Sequence, residues 1–308
     1  MAKKYHGIIP PIITPVDERE NVDEEAFCAL LERCVRGGLH GIFVAGTNGE
    51  CMQLTQRERE RAIRIALRQV NGRVPVVCGV MDCSTRRVID NVKALEQMGG
   101  ACAAVTPIFY ARHTSQDESL RHYEKIAHAT QLDIVIYNIP SMTGLALAPA
   151  TVIRLVEADN IVAYKDSSPN YGGFMQVLAA CKDTPFSCLQ GVTPQAVSAL
   201  LMGADGFVPA LAPLFPQMFR DAYEAGVSGD ARRAWRYNEL IRESSKILTL
   251  SKNMTAAAKY AISTTGLTHK RVIWPQDGTT PEEEARIDAQ IARVNELYVK
   301  EKASENRA

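Results

Sequence analysis

Short apolar runs alternate with amphipathic stretches along most of the chain, and the two periodicities predict strands and helices in turn. Runs at 7–14, 41–45, 74–80, 102–106, 132–137, 161–165, 186–190 and 205–208 read as eight strands. They are near-continuous in Val, Ile and Ala rather than strictly alternating, which is the pattern of strands buried on both faces. Between them, apolar residues recur at helical spacing. Phe27, Leu30, Leu31, Cys34 and Val35 share one face, as do Ile63, Ala66, Leu67 and Val70 in the next helix. Val88, Val92, Leu95 and Met98 mark a third helix, and Phe174, Val177, Leu178 and Cys181 another. Asn21 with Glu24 resembles a capping box, Thr55 with Glu58 opens the second helix, and Gly37-Gly38 stops the first.

Strand–helix alternation implies right-handed crossovers between parallel neighbours. Eight such units within residues 1–225 fit a (β/α)8 barrel, the TIM-barrel architecture, better than a doubly wound sheet. From residue 226 the strand signals end. Tyr237, Leu240 and Ile241 belong to one helix, and Pro281-Glu282-Glu283-Glu284 starts another with Ile287, Ile291, Val294, Leu297 and Tyr298 along its buried stripe. With no Ser- or Gly-rich linker before it, residues 226–308 are expected to form a helical extension packed on the barrel.

Composition narrows the partners. Lys plus Arg equals Asp plus Glu at 35 each, so no net field draws the chain to nucleic acid or anionic lipid. No apolar run reaches membrane-spanning length, and the proline-broken start of the chain lacks a signal peptide's apolar region, so a cytoplasmic protein is expected. The eight cysteines form no C-x-x-C pair and read as reduced core residues. The six histidines show no metal-ligand spacing, and no metal is expected.

The reactive groups of such a barrel sit at the C-terminal ends of its strands. The sixth strand ends in Lys165. A lysine after four largely apolar residues must find a carboxylate, reach solvent or lose its proton. Pairing with Asp166 would make it structural, whereas a neutral amine could attack a ketone and form a Schiff base. The fifth strand ends in Tyr137, a packing residue by default and a proton carrier if it lies within reach of that amine. After the second strand, Gly46-Thr47-Asn48-Gly49-Glu50 offers paired glycines for a tight turn, with a hydroxyl and backbone N–H groups that could cradle a carboxylate. No P-loop or dinucleotide fingerprint is present.

With these features in register, the chain resembles the dihydrodipicolinate synthase and N-acetylneuraminate lyase family of Schiff-base, pyruvate-handling class I aldolases and synthases. The matching pieces are GTNGE at 46–50, VTP at 105–107, YNIPSMTG at 137–144, YKDSS at 164–168 and GADGFV at 203–208. The resemblance implies that Lys165 forms the imine and Tyr137 transfers protons. It also implies that Thr47, with the backbone around Gly46, Thr47 and Asn48, holds the carboxylate of a 2-oxo acid, and that the Val208 carbonyl accepts near the lysine. A homotetramer, built as a dimer of dimers, is the assembly it implies, and it implies no metal or organic cofactor.

Two departures bear on the substrate. The synthase branch follows Tyr-Asn-x-Pro-Ser with an arginine that grips a substrate carboxylate, and this chain has Met142 there. Two residues after the proline of VTP the synthases carry a relay tyrosine. Here that position is Phe109, so Tyr110 could substitute only if the loop shifts by one residue. The Gly-Thr-Asn-Gly-Glu turn is similar to that of 4-hydroxy-2-oxoglutarate aldolases. The expected function is therefore a lyase cleaving or forming a 4-hydroxy-2-oxo acid, of the 4-hydroxy-2-oxoglutarate or 2-keto-3-deoxy sugar acid type, from pyruvate and an aldehyde. Dihydrodipicolinate synthase or a related dehydratase is the alternative. A non-catalytic 2-oxo acid binding barrel is the second.

Overall fold

The computed structural model describes residues 3–111 and 115–305; the outermost residues of the expected barrel and extension, 1–2 and 306–308, lie outside the described residues. Eight parallel strands form the sheet: β1 (Gly7–Ile8), β2 (Ile42–Val44), β3 (Val76–Gly79), β4 (Cys102–Val105), β5 (Asp133–Asn138), β6 (Ile161–Asp166), β7 (Ser187–Gln190) and β8 (Gly206–Phe207). Each lies inside or within a residue of an expected run. The order is β1-β8-β7-β6-β5-β4-β3-β2, and a parallel bridge between Pro11 and Phe43 brings the ends together. The fold is the expected (β/α)8 barrel.

The first strand is far shorter than the apolar run that announced it. Pro10 and Pro11 have no N–H to give a ladder. The seam instead uses what remains: Phe43 N–H donates to the Pro10 carbonyl at 2.9 Å and Ile12 N–H to the Phe43 carbonyl at 3.0 Å. On the other side of β1, Gly206 is required by close approach, because a Cβ there would stand 2.2 Å from the Gly7 carbonyl oxygen.

Around the sheet run α1 (Glu24–Arg36), α2 (Gln56–Val70), α3 (Thr85–Gln97), α4 (Gln116–Ala127), α5 (Pro140–Thr143), α6 (Pro149–Leu155), α7 (Tyr171–Cys181) and α8 (Ala196–Leu201). The cap of α1 differs from expectation. Asn21 is still held in a loop by Asp17, whose N–H donates to the Asn21 carbonyl, and Asp23 caps the helix by accepting from Ala26 N–H at 3.1 Å. Thr55 caps α2 as expected, accepting from Glu58 N–H. The Glu58 carboxylate does not close a capping box but reaches Val22 N–H at 2.8 Å.

Two apolar layers result. Ile9, Phe43, Val77, Ala104, Val135, Tyr137, Ala163, Leu189 and Val208 fill the barrel interior, and a larger shell packs the helices onto the outside of the strands. The eighth barrel helix is α9 (Pro216–Val227), and beyond it come α10 (Ala231–Ser245), α11 (Met254–Ser263) and α12 (Pro281–Glu305). The long α12 is tied back by Tyr298 Oη donating to Asp221 at 2.7 Å and by an Arg233–Glu305 ion pair at 2.7 Å. Among the described residues no helix is long and apolar enough to cross a membrane.

Candidate active site

Lys165 lies one residue from the end of β6, and its register partner across β5 is Tyr137. Strand alternation turns Lys165 into the barrel and Asp166 away from it. Lys165 is 4% exposed, its Nζ 3.7 Å from the centroid of the Tyr137 ring and 4.6 Å from that of Phe43. Asp166 is not its partner: that carboxylate accepts from Asn138 Nδ2 at 2.9 Å and Ser168 N–H at 2.8 Å. Among the described residues no ion pair involves Lys165. Burial therefore pushes its amine well below the ordinary lysine value, with the Cys51 thiol opposing weakly.

The Tyr137 hydroxyl is buried and meets two hydroxyls, Thr47 Oγ1 at 3.5 Å and Ser167. Burial pushes the phenol up to about 12, against the lowering effect of those two contacts. It is thus a phenol at neutral pH, held in a chain of exchangeable protons. Ser167 was not among the residues singled out from sequence, although its place two positions after the lysine puts it at the same strand end.

Thr47 sits on a 3-10 turn, Thr47–Gly49, directly after β2. The glycines of this turn serve differently from expectation. The left-handed conformations fall on Ala45 (φ 53°) and Glu50 (φ 54°), not on Gly46 or Gly49. The glycines provide room instead: a Cβ on Gly46 would press on the Phe43 ring at 3.1 Å, and one on Gly49 on the Ile12 carbonyl at 3.2 Å. Gly49 and Glu50 donate within the turn, to the Gly46 and Thr47 carbonyls at 3.0 Å each. Asn48 Nδ2 donates to the Pro11 carbonyl at 3.4 Å.

What holds the turn comes from far along the chain. Glu50, completely buried, forms an ion pair with the equally buried Lys259 of α11, and its other oxygen accepts from Ile273 N–H at 2.8 Å. Lys259 also donates to the Arg271 carbonyl at 2.8 Å. A charged residue in the run Ala256-Ala257-Ala258-Lys259-Tyr260-Ala261 was the signal that could have found it, because a lysine on an apolar helix face requires a partner.

Two cavities open at this end of the barrel. A small inner one, about 10 Å³, is lined by Lys165, Phe43, Val135, Leu189 and Val208, and has room for about one water. A larger outer one, about 590 Å³, is lined by Thr47, Asn48, Cys51, Thr106 and Phe109 from the barrel loops, and by Lys252 to Thr255 and Gln276 from the C-terminal segment. Thr47, on the wall of the outer cavity, contacts the Tyr137 hydroxyl beside Lys165. Lys165, Tyr137, Thr47, Asn48, Gly46 and Val208 are thus brought together. Tyr110 is not: it is fully exposed, with a left-handed φ of 69° that turns it off the pocket wall, and Phe109 takes the inward position. Tyr110 therefore does not line this chain's own pocket.

The chain matches a family model described as the dihydrodipicolinate synthetase family over residues 4–293. It is 32% identical to a 4-hydroxy-tetrahydrodipicolinate synthase of Phenylobacterium zucineum, over 91% of this chain and 93% of that one. It is 31% identical to an uncharacterized DapA-like lyase of Halobacterium salinarum, over 95% of each. Among solved structures it superposes on YagE of Escherichia coli K12, a dihydrodipicolinic acid synthase family protein in complex with pyruvate. The TM-score is 0.89 at 26% identity, covering 94% of this chain and 99% of that one. The dihydrodipicolinate synthase of Bacteroides thetaiotaomicron gives 0.89 at 30% identity, covering 95% and 100%.

Proposed function

The chain belongs to the dihydrodipicolinate synthetase family, and from that premise we propose that it is a pyruvate-handling class I lyase working through an imine on Lys165. The observation that carries the reading is the buried Lys165 amine, without a carboxylate partner among the described residues, facing the Tyr137 ring. An amine so placed spends enough time neutral to act as a nucleophile. Thr47 and the backbone of Gly46 to Asn48 hold the carboxylate of the 2-oxo acid, and the Val208 carbonyl accepts beside the lysine.

In cleavage, Nζ adds to C2 of a 4-hydroxy-2-oxo acid and water leaves. Tyr137 passes the C4 hydroxyl proton toward Thr47 and Ser167 while the C3–C4 bond breaks. Its electron pair moves into the iminium, giving an enamine and a free aldehyde. Protonation at C3 and hydrolysis return pyruvate and the amine. The reverse sequence is condensation. The assembly proposed with it is a homotetramer in the cytoplasm.

The names of the relatives support a second reading, 4-hydroxy-tetrahydrodipicolinate synthase, more than they support a 4-hydroxy-2-oxo acid aldolase. Met142 weighs the other way: it stands on the wall of the outer cavity where the synthases place an arginine. An unpaired substrate carboxylate there would cost about 2–5 kcal/mol. Steady-state assays separate the two. Aspartate semialdehyde with pyruvate, coupled to reduction of the product, is expected to be poor, and retro-aldol release of pyruvate from 4-hydroxy-2-oxo acids to be efficient. Efficient semialdehyde turnover would establish the second reading. Pyruvate binding without exchange of its methyl protons for deuterium would mark a non-catalytic barrel.

A further inference from the structure

The outer cavity says more about the aldehyde than the residues read from sequence. At about 590 Å³ it lies in the range that encloses a drug-sized ligand, far above what glyoxylate or a short semialdehyde fills. Its wall carries Met52, Met81, Phe109, Ile139, Met142 and Met254. Three of these methionines are held largely in solvent, Met52 at 45%, Met142 at 61% and Met254 at 56% exposed. Single exposed apolar side chains need no explanation. These three come from separate segments, after the β2 turn, in α5 and at the start of α11, yet line one cavity. Thioether side chains suit a site that adapts to an apolar body.

The polar groups of the cavity are placed at different depths. Thr47 and Thr106 follow β2 and β4 at the barrel end. Thr106 Oγ1 is buried and has no hydrogen-bond partner among the described residues. Such a hydroxyl can donate to a small acceptor such as a carbonyl oxygen. Among the described residues Lys252 is the single charged side chain on the wall, and it is exposed. Asn253 is already committed, capping α11 through Thr255 N–H at 2.9 Å and donating to Gln276 at 2.9 Å.

We propose that the acceptor aldehyde carries a bulky apolar group, seated among these methionines and Phe109, with its carbonyl oxygen directed to Thr106. The proposal rests on the imine reading of Lys165 and deepens it. In the synthetic direction, C3 of the pyruvyl enamine bonds to the aldehyde carbon. The proton removed from C3 is returned to the aldehyde oxygen, and water releases a 4-hydroxy-2-oxo acid with an apolar tail. No co-reactant is required.

The test is an acceptor series at fixed pyruvate, with the product quantified by mass spectrometry. Benzaldehyde and 3-phenylpropanal are compared with glyoxylate, glyceraldehyde and aspartate semialdehyde. The apolar pair is expected to exceed the others at least about tenfold in kcat/KM. Met142→Arg is expected to shrink or reverse that ratio. Preference for glyoxylate or the semialdehyde, lost in Lys252→Met, would overturn the proposal and make Lys252 a carboxylate anchor; preference for glyceraldehyde would overturn it as well. Borohydride trapping of pyruvate is run beside the series. An adduct on Lys165 with a polar acceptor preference refutes this inference alone, whereas no adduct on Lys165 refutes the imine reading on which it stands.

Discussion

Replacing Lys259 by methionine removes one half of an ion pair whose two side chains are both completely buried. Methionine fills much of the lysine stem's volume, so the cavity contribution is small and the loss is electrostatic. Glu50 keeps its Ile273 N–H but loses its only cation, leaving Oε2 without another partner among the described residues. Breaking a buried pair from one side costs about 3–5 kcal/mol. At about 2 °C per kcal/mol for a chain of this size, the melting temperature is expected to fall by roughly 6–10 °C. Removing both partners, Lys259→Met with Glu50→Gln, leaves no buried charge and should recover much of the loss. Differential scanning calorimetry of the parent and both variants reads these changes. A single-variant deficit under about 1 kcal/mol, or a double variant no more stable than the single, would refute the reasoning.

The same structure makes shorter predictions about the chemistry. Because burial holds Lys165 below its ordinary value, imine formation with pyruvate should accelerate with pH through that lowered pKa and then level off. A rise centred on the ordinary lysine pKa would contradict it. Tyr137→Phe should lower kcat by about 10²–10⁴ while pyruvate still becomes trapped on the lysine; an unchanged kcat would remove the phenol from proton transfer. Thr47→Val should raise the KM for pyruvate, read by steady-state kinetics, and slow turnover as well because the same hydroxyl contacts Tyr137. An effect on neither would exclude it from the site.

The barrel was legible because continuous Val/Ile/Ala runs and helical stripes can satisfy both periodicities only in alternating layers. The strand-end positions of Lys165 and Tyr137 followed from the same reading. Their direct register across β5 and β6 includes a shift between Ile134 and Val135 that no local pattern announces. What stayed hidden was nonlocal. The Glu50–Lys259 pair spans more than half the chain, and α11 is an alanine-rich helix whose small residues give little periodic contrast. Its N-terminal end completes the outer cavity, so the residues that bound the aldehyde side come partly from a segment read only as packing. The turn glycines were legible as glycines but not in their role. Sequence cannot distinguish a left-handed backbone from a neighbouring ring that leaves no room for a Cβ. Tyr110 and Phe109 are neighbours, and no local pattern announces that Phe109 lines the pocket while Tyr110, at a positive φ, is exposed.

The central claim is that Lys165 is the amine that condenses with a 2-oxo acid. The most direct measurement is borohydride reduction of the protein with pyruvate, followed by proteolysis and mass mapping. The account predicts one reduced pyruvyl adduct, on the peptide containing Lys165, absent in Lys165→Ala. An adduct on another lysine, or none on a folded protein, would contradict it.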